Sequence, residues 1–140
     1  MITGKVVVTD PRMEDDRRTI RELNSVEGGC AIQRFEIRQT GKPLGKHAHR
    51  FKTEYFLITK GRGYFLVAQI DSKGNITSAP EKVVVEADVV VCFNRLEAHT
   101  LYPEEEMGMI CFSNQPFFDE DNDFVDCPDL VIEKFPELAH

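Results

Sequence analysis

Two histidines and one glutamate near the middle of the chain have the spacing of metal ligands. His47 and His49 are separated by one residue, and four residues separate His49 from Glu54. Alternate side chains of an extended strand share one face, so the two imidazoles lie within reach of a single ion. First-row transition metals bind such mixed imidazole and carboxylate sets. A pair of surface histidines is the plain alternative, but the chain has only 4 histidines, and this concentration favours a metal site.

The elements that must hold these residues are predicted to be β-strands. Short stretches of alternating apolar and polar residues, separated by turn residues, run along most of the chain. Glu54, Phe56 and Ile58 share one face of such a stretch, which places two apolar side chains beneath the carboxylate. The predicted strands are 19–23, 31–38, 54–60, 64–70, 82–85, 89–93, 98–101 and 107–112, with a short apolar run at 6–8. Many short strands without a strong amphipathic helix indicate an antiparallel sandwich or barrel.

Two connections are predicted within this β pattern. Gly61-Arg62-Gly63 is typical of a tight turn, after which the strand 64–70 returns along the chain. The polar stretch 71–75 is typical of a longer hairpin loop.

The complete frame around the first histidine pair resembles the first conserved motif of the cupin superfamily. It consists of Gly41, five residues, His47-x-His49, four residues, Glu54, six residues and Gly61. The resemblance implies an all-β chain folded as a cupin, which is a double-stranded β-helix or jelly-roll barrel. It also implies that the two histidines and the glutamate bind a divalent transition metal inside that barrel, together with a third histidine from a second motif.

The second cupin motif is matched at its histidine alone. The motif usually reads Gly, five residues, Pro-x-Gly, two residues, His, three residues, Asn. Aligned on His99, the chain differs at the four other positions, which hold Asp88, Asn94, Leu96 and Pro103. The resemblance implies that His99, which follows an apolar strand, is the fourth metal ligand. A hydrogen-bonded histidine at a strand end is the alternative, and the ligand types leave Zn, Fe, Mn and Ni open.

Within the superfamily, the chain is similar to the small cupins of nucleotide-sugar metabolism from about residue 16 to residue 126. The similar stretches are Asp16-Arg17-Arg18, the histidine pair with Lys52-x-Glu54-x-Phe56-Leu57, and Ser113-Asn114-Gln115-Pro116-Phe117. These resemble the sugar ketoisomerase cupins and the cupin half of bifunctional sugar epimerase-reductases. The similarity implies a sugar or nucleotide-sugar derivative as substrate, and a homodimer formed by exchanged edge strands, since unpaired edges favour such pairing.

Length and charge limit the classes of protein that the chain can represent. Its 140 residues suffice for one core, so residues 1–140 are predicted to form a single domain, with a barrel core at about 17–115. A net charge of −7 argues against nucleic acid as a partner, because binding it requires a basic patch. No apolar run reaches the roughly 18 residues of a membrane span, and the first residues do not resemble a signal peptide. We therefore expect a cytoplasmic protein that binds a small molecule and neither nucleic acid nor membrane.

The four cysteines agree with a reducing compartment. They stand at 30, 92, 111 and 127 without a Cys-x-x-Cys pair. Cys30, Cys92 and Cys111 occur in apolar strand-like contexts, where a buried free thiol is the simplest interpretation.

The C-terminal segment 116–140 has a different character, mixing acids with phenylalanines. We expect it to pack on the barrel or on a partner subunit. Asp119, Asp121 and Asp123 are alternately spaced, as calcium ligands can be, but the segment lacks the glycine and the later glutamate of an EF-hand loop. A solvated acidic loop is the preferred interpretation.

The sequence leaves three functions open for such a metal site. A divalent ion with open positions polarises a carbonyl, which with a general base gives sugar isomerisation or epimerisation. The same ligands with Fe(II) suit a dioxygenase, and a non-catalytic binding module is the third hypothesis. No general base is identified, because Tyr55 and Tyr64 have the parity of outward residues and Tyr102 is the remaining tyrosine. Arg62 and Lys46 are conceivable anion contacts, with solvated surface charge as the simpler interpretation.

Overall fold

The computed structural model describes residues 13–24, 31–114 and 120–140, and almost all of its regular structure is β-strand. The strands are β1 (Met13–Glu14), β2 (Arg18–Asn24), β3 (Ala31–Ile37), β4 (Leu44–His49), β5 (Glu54–Lys60), β6 (Arg62–Gln69), β7 (Glu81–Glu86), β8 (Val90–Phe93), β9 (Glu97–Pro103), β10 (Met107–Ser113) and β11 (Phe124–Asp126). A four-residue helix, α1 (Glu120–Asp123), precedes β11, and two 3-10 turns follow at Ile132–Lys134 and Pro136–Leu138. In the described ranges, no helix is long and apolar enough to cross a membrane.

The strands form two antiparallel sheets that enclose a common core. The six-stranded sheet has the order β1-β2-β3-β10-β5-β8, and the five-stranded sheet has the order β11-β4-β9-β6-β7. Alternation along β5 follows the prediction, since Glu54, Phe56 and Ile58 are buried while Tyr55 between them is exposed. Apolar side chains from both sheets meet between them, among them Ile37, Phe56, Ile58, Phe65, Leu101 and Met109. Burial of this alternating face is the main force that holds the sheets together.

A second apolar cluster covers the outer face of the five-stranded sheet. Ala48, Leu66 and Ala98, which point away from the inner core, are fully buried. They are covered by the C-terminal segment, whose Val125, Cys127 and Leu130 belong to the same cluster. The backbone of that segment is also bonded to the sheet, because the Thr100 hydroxyl donates to the carbonyl oxygen of Leu130 at 2.6 Å. The five-stranded sheet is therefore packed on both faces.

An irregularity in β4 sets the register of the histidines. Gly45 and Lys46 both have left-handed backbone, with φ of 93° and 60°, and the pairing with β9 shifts between Gly45 and His47. A β-carbon at position 45 would lie 2.7 Å from the backbone oxygen of His99, so only glycine fits there. Such bulges redirect side chains near functional sites. Here the shift places His47 directly opposite His99.

Several details of the sequence prediction require correction. Gly61 alone makes the connection after β5, with φ of 83°, and Arg62 already belongs to β6. The strand β6 does not return against β5, because it crosses to the other sheet and pairs with β7 and β9. The side chain of Cys92 is exposed rather than buried, since it lies on the outer face of β8. The predicted run 6–8 and Cys30 lie outside the described residues.

Candidate metal centre

The four side chains expected to bind metal converge at the end of the inner core. His47 and His49 lie at the end of β4, His99 lies opposite on β9, and Glu54 begins β5 of the other sheet. One nitrogen or oxygen atom from each side chain lies within 4.8 Å of the corresponding atom of every other. The rings of His49 and His99 and the carboxylate of Glu54 are buried, and His47 is half-buried. We call these four residues the histidine–glutamate cluster.

Two of the innermost atoms of the cluster are buried without a hydrogen-bond partner, as expected for atoms that bind a cation. His49 Nε2 lies 3.0 Å from Glu54 Oε1, and His99 Nε2 lies 3.5 Å from the same oxygen. Despite these distances, His49 Nε2 and Glu54 Oε1 are buried without a hydrogen-bond partner of acceptable geometry. Buried polar atoms are nearly always paired, so two unpartnered atoms this close to one another fit a group that contacts both of them, such as a cation. Three imidazoles and one carboxylate suit a divalent first-row transition metal.

Hydrogen bonds on the far side of two imidazoles prepare their inner nitrogens for a metal. His99 Nδ1 lies 3.1 Å from the carbonyl oxygen of Glu97, which can only accept, so the ring donates there and Nε2 keeps its lone pair. His49 Nδ1 lies 2.6 Å from Asp123 Oδ2, and the ring donates to this carboxylate. Outer partners of this kind orient ligating histidines and raise their basicity.

Two phenylalanine rings hold the imidazoles in place. The ring of Phe93 stacks on His99 with centroids 4.1 Å apart and an interplanar angle of 11°. The ring of Phe124, the first residue of β11, stacks on His47 at 4.8 Å and 10°. Rings stacked in this way cannot turn freely, so the directions of the imidazole lone pairs are restricted before any ion arrives.

Burial and charge act in opposite directions on the ionisable groups of the cluster. Burial opposes the charged form of Glu54, but His49 and His99 outweigh it and hold the pKa of Glu54 well below its usual range. Burial lowers the pKa of His99 to about 4 and, with the other imidazoles, lowers the pKa of His47. Burial also opposes the charge on His49, yet the carboxylates of Glu54 and Asp123 raise the pKa of that ring. Glu54, His47 and His99 are thus favoured in the deprotonated form that binds a metal, whereas below the raised pKa of His49 a metal has to displace one proton from that ring.

The cluster forms part of the wall of a cavity of about 160 Å³. Much of the remaining wall is apolar and comes from both sheets, including Phe35, Ile37, Phe56, Phe65, Leu101 and Met109. Arg17 and Arg18 also line the cavity, from the six-stranded sheet and the turn before it. The site thus places the four ligand side chains on the wall of a cavity whose largely apolar lining excludes water from most of the space around a bound molecule.

Comparison with known proteins identifies the fold. No protein-family model matches the chain, and no curated protein matches it in sequence. Among solved structures, the capsular polysaccharide assembling protein CapF from Staphylococcus aureus superposes with a TM-score of 0.70 at 20% identity, over 82% of this chain and 31% of CapF. A variant of oxalate decarboxylase from Bacillus subtilis superposes with a TM-score of 0.66 at 18% identity, over 84% of this chain and 30% of that protein. The chain therefore spans about a third of the length of each of these two structures.

The protein has the cupin fold. The all-β prediction and the jelly-roll topology are confirmed by the two sheets and by these neighbours. Identities of 18–20% support the fold alone, so neither activity is transferred to this protein on that basis.

Two positions that hold glycine in the second motif have left-handed backbone in this protein, although neither is a glycine. Asp88 and Leu96 stand where the motif has glycine, and both have left-handed backbone, with φ of 72° and 60°. These residues lie just before β8 and β9, and His99 of β9 reaches the cluster. Both positions therefore have the backbone conformation that favours glycine, although the residues are aspartate and leucine.

Asp123 is a residue of the site that sequence reasoning missed. It was assigned to a solvated acidic loop, but its side chain is only 6% exposed and binds His49. Its second oxygen, Oδ1, accepts the backbone N–H of Phe51 at 2.8 Å. The sequence offers one signal in retrospect, which is that Phe124 and Val125 follow Asp123 directly and require an apolar surface.

The other candidate side chains considered from the sequence lie away from the cavity. Tyr55 is exposed on the outer face of β5, while Tyr64 and Tyr102 stack on each other at 5.1 Å beneath the C-terminal segment. None of these tyrosines lines the cavity, and neither do Arg62 or Lys46. The expectation that Arg62 is a solvated surface charge agrees with its largely exposed side chain.

Proposed function

We propose that this cupin binds a divalent transition metal at His47, His49, Glu54 and His99 and uses it to act on a small polar molecule. The substrate class that we favour is a sugar or sugar derivative, and the reaction is isomerisation or epimerisation. The observation that carries the proposal is the convergence of four ligand atoms, two of them orphaned, on one wall of a largely apolar cavity.

The chemistry expected of the bound ion is polarisation of a substrate oxygen, which increases the acidity of the neighbouring C–H bond. The protein's own residues prepare for this step. Asp123 and Glu97 fix the ring orientation and the protonated nitrogen of His49 and His99, respectively. Lys52, which is 2% exposed, lies with Nζ 3.9 Å from Glu54 Oε2 and favours the ionised carboxylate. The apolar walls keep the surrounding dielectric low, so these fixed charges act strongly.

The size of the cavity supports a substrate no larger than a monosaccharide within its enclosed part. A cavity of about 150 Å³ holds one benzene-sized molecule, and the volume here is about 160 Å³. The nucleotide portion of a nucleotide sugar would have to lie outside it. The name of CapF, a capsular polysaccharide assembling protein, gives a sugar connection among the fold neighbours.

A dioxygenase that uses Fe(II) at the same ligands is the second candidate. One observation favours it. Among the described residues that line the cavity, the ionisable side chains outside the histidine–glutamate cluster are arginines, and none of them is suited to accept a proton. Proton abstraction then needs a base from elsewhere, whereas addition of O₂ does not. A non-catalytic module that binds a small molecule is the third candidate.

One set of measurements separates these functions. The purified protein is analysed for bound metal, and hydrogen–deuterium exchange at the α-carbon of candidate sugars is followed by NMR. Exchange by the wild type that is lost in His49→Ala but kept in His140→Ala, a control at an exposed histidine, supports the isomerase. Oxygen uptake coupled to product formation would establish the dioxygenase. Saturable sugar binding without exchange or oxygen uptake would establish the binding module, and absence of bound metal would reject the proposal as a whole.

We also propose that the protein forms a homodimer. Large apolar side chains are exposed in neighbouring strands on the outer face of the six-stranded sheet, where Phe112 of β10 pairs with Ile32 of β3 and Tyr55 of β5. Exposed apolar rows of this kind favour association. Light scattering should give a dimer mass for the wild type and a monomer mass for Phe112→Lys, and a monomeric wild type at micromolar concentration would refute the proposal.

A further inference from the structure

Two adjacent arginines line the cavity, and the protein satisfies their hydrogen bonds unequally. Arg17 donates from Nη1 to the carbonyl oxygen of Pro43 at 3.2 Å and from Nη2 to Asp15 Oδ2 at 3.0 Å. Arg18 Nε lies 3.7 Å from the same Asp15 oxygen, which is too far for a hydrogen bond, and it is buried without a partner. A buried unpaired guanidinium nitrogen is costly, which suggests that an acceptor is supplied by a bound molecule.

Asp15 cannot easily move to satisfy Arg18, because its carboxylate is already in use. Oδ1 accepts the backbone N–H groups of Arg17 and Arg18 at 2.8 and 3.0 Å, and Oδ2 accepts Arg17 Nη2. These bonds close the turn that leads into β2. Arg17 is therefore a structural partner of Asp15, whereas Arg18, which also lines the cavity, keeps an Nε without a hydrogen-bond partner.

The location of Arg18 relates it to the histidine–glutamate cluster. Arg18 begins β2 and pairs with Ile37 of β3, in the six-stranded sheet. The three histidines belong to the five-stranded sheet, and both sets line the same cavity of about 160 Å³. A small molecule that binds at the cluster therefore shares its enclosure with the guanidinium, and Gln33, which is 1% exposed, lies on the same wall as Arg18.

The charges on the described cavity wall do not balance once a divalent ion is bound. Among the described residues that line the cavity, Glu54 carries the only carboxylate, and the charge of Arg17 is offset by Asp15. The ion and Arg18 then leave an excess of two positive charges among largely apolar side chains. At low dielectric such an excess strongly favours an anionic ligand over a neutral one.

We propose that Arg18 forms an anion subsite, and that the molecule acted on at the metal centre carries a carboxylate group which the Arg18 guanidinium binds. This inference rests on the proposed function and narrows its substrate class from small polar molecules to small organic acids, including sugar acids. The planar fork of arginine suits a carboxylate, which it binds through two parallel hydrogen bonds.

The test compares matched ligands by isothermal titration calorimetry. The metal-loaded protein is titrated with glucuronate, with glucose as its neutral counterpart, and with malonate as a simple dicarboxylate. Wild type should bind at least one of the acids about tenfold to a hundredfold more tightly than glucose, and Arg18→Gln should lose this preference, as expected for a hydrogen bond to a charged group. Arg18→Lys should retain part of it. Arg34→Gln, which removes an exposed positive charge from β3, serves as the control and should bind like wild type.

Each outcome has a distinct meaning. Preference for glucuronate identifies a sugar acid and preference for malonate identifies a simple acid, and both support the subsite. Equal binding of acids and glucose, or an acid preference that survives in Arg18→Gln with an unchanged unfolding midpoint, overturns it. Metal content is measured separately, since Arg18→Gln should keep its metal. If even the wild type binds no metal, the proposed function fails, and the same titrations of the metal-free protein then decide whether Arg18 alone selects acids.

Discussion

Replacing Asp123 with asparagine should weaken metal binding by changing which nitrogen of His49 carries the proton. The carboxylate of Asp123 accepts from two sides, from His49 Nδ1 at 2.6 Å and from the Phe51 backbone N–H at 2.8 Å. An amide has one acceptor and one donor group. If its oxygen stays on Phe51, its NH₂ faces His49, and the imidazole must accept at Nδ1 and carry its proton on Nε2, where the metal is expected to bind.

The opposite orientation of the asparagine is no better. Its oxygen would then accept from His49, but its NH₂ group would face the N–H of Phe51, leaving buried donors unsatisfied at a cost of about 1–3 kcal/mol. Loss of an outer partner of a ligating histidine typically costs about 10- to 100-fold in metal affinity. We expect that range for Asp123→Asn, which corresponds to about 1.4–2.8 kcal/mol at about 1.4 kcal/mol per factor of ten.

The assay is competition for Zn²⁺ with a chelating dye at pH 7.5. Asp129→Asn provides the control, because Asp129 is also in the C-terminal segment but is 74% exposed, and its ion pair is with Lys134 rather than with the cluster. Thermal unfolding of the metal-free proteins checks that both variants are folded at the assay temperature, so that affinity is compared between folded proteins. An Asp123→Asn affinity within threefold of wild type, or an equal loss in Asp129→Asn, would refute the tautomer argument.

Three further predictions concern the site and its support. The carboxylate neighbours of His49 raise its pKa above the usual 6.5, against the effect of burial, so metal affinity should fall as the pH drops through that pKa. Below that pH, metal binding should release one proton, which is measurable in weakly buffered solution. Gly45→Ala should lower the free energy of unfolding by about 1–3 kcal/mol in urea titrations, because its β-carbon meets the His99 carbonyl at 2.7 Å with φ of 93°, and an unchanged midpoint would contradict the bulge argument. Asp88→Val should cost about 1–2 kcal/mol at its φ of 72°, whereas Asp88→Gly should cost less than 1, and equal effects would mean that this turn relaxes.

The ligands that lie close together in sequence were predictable because strand geometry is local. The period of two along a strand places His47 and His49 on one face, and the same period places Glu54 above Phe56 and Ile58. The strand that carries the glutamate was placed at 54–60, as it is observed. These predictions required no knowledge of which strands pair.

Residues that join the site through tertiary structure were not predictable in the same way. Asp123 is 74 residues from His49 and resembles its acidic neighbours in type. In the sequence, Arg18 was notable only as part of a resemblance. Its proposed role as an anion contact depends on the hydrogen bond by which Arg17 already uses the Asp15 carboxylate. The crossing of β6 to the opposite sheet was missed for a related reason, since two adjacent strands with a glycine between them read as a hairpin until their separate partners are known.

The packing of the five-stranded sheet on both of its faces has a consequence for how the protein takes up an ion. Three of the four cluster residues belong to that sheet, whose inner face meets the main core and whose outer face lies beneath the C-terminal segment. Strands that are packed on both faces have little conformational entropy left to lose, so the ligands are preorganised. Uptake of an ion should therefore order the backbone very little. Amide hydrogen exchange in β4 and β9 should then be slow in the metal-free protein and nearly the same after loading, with the change in protection concentrated at the ring-bearing residues themselves.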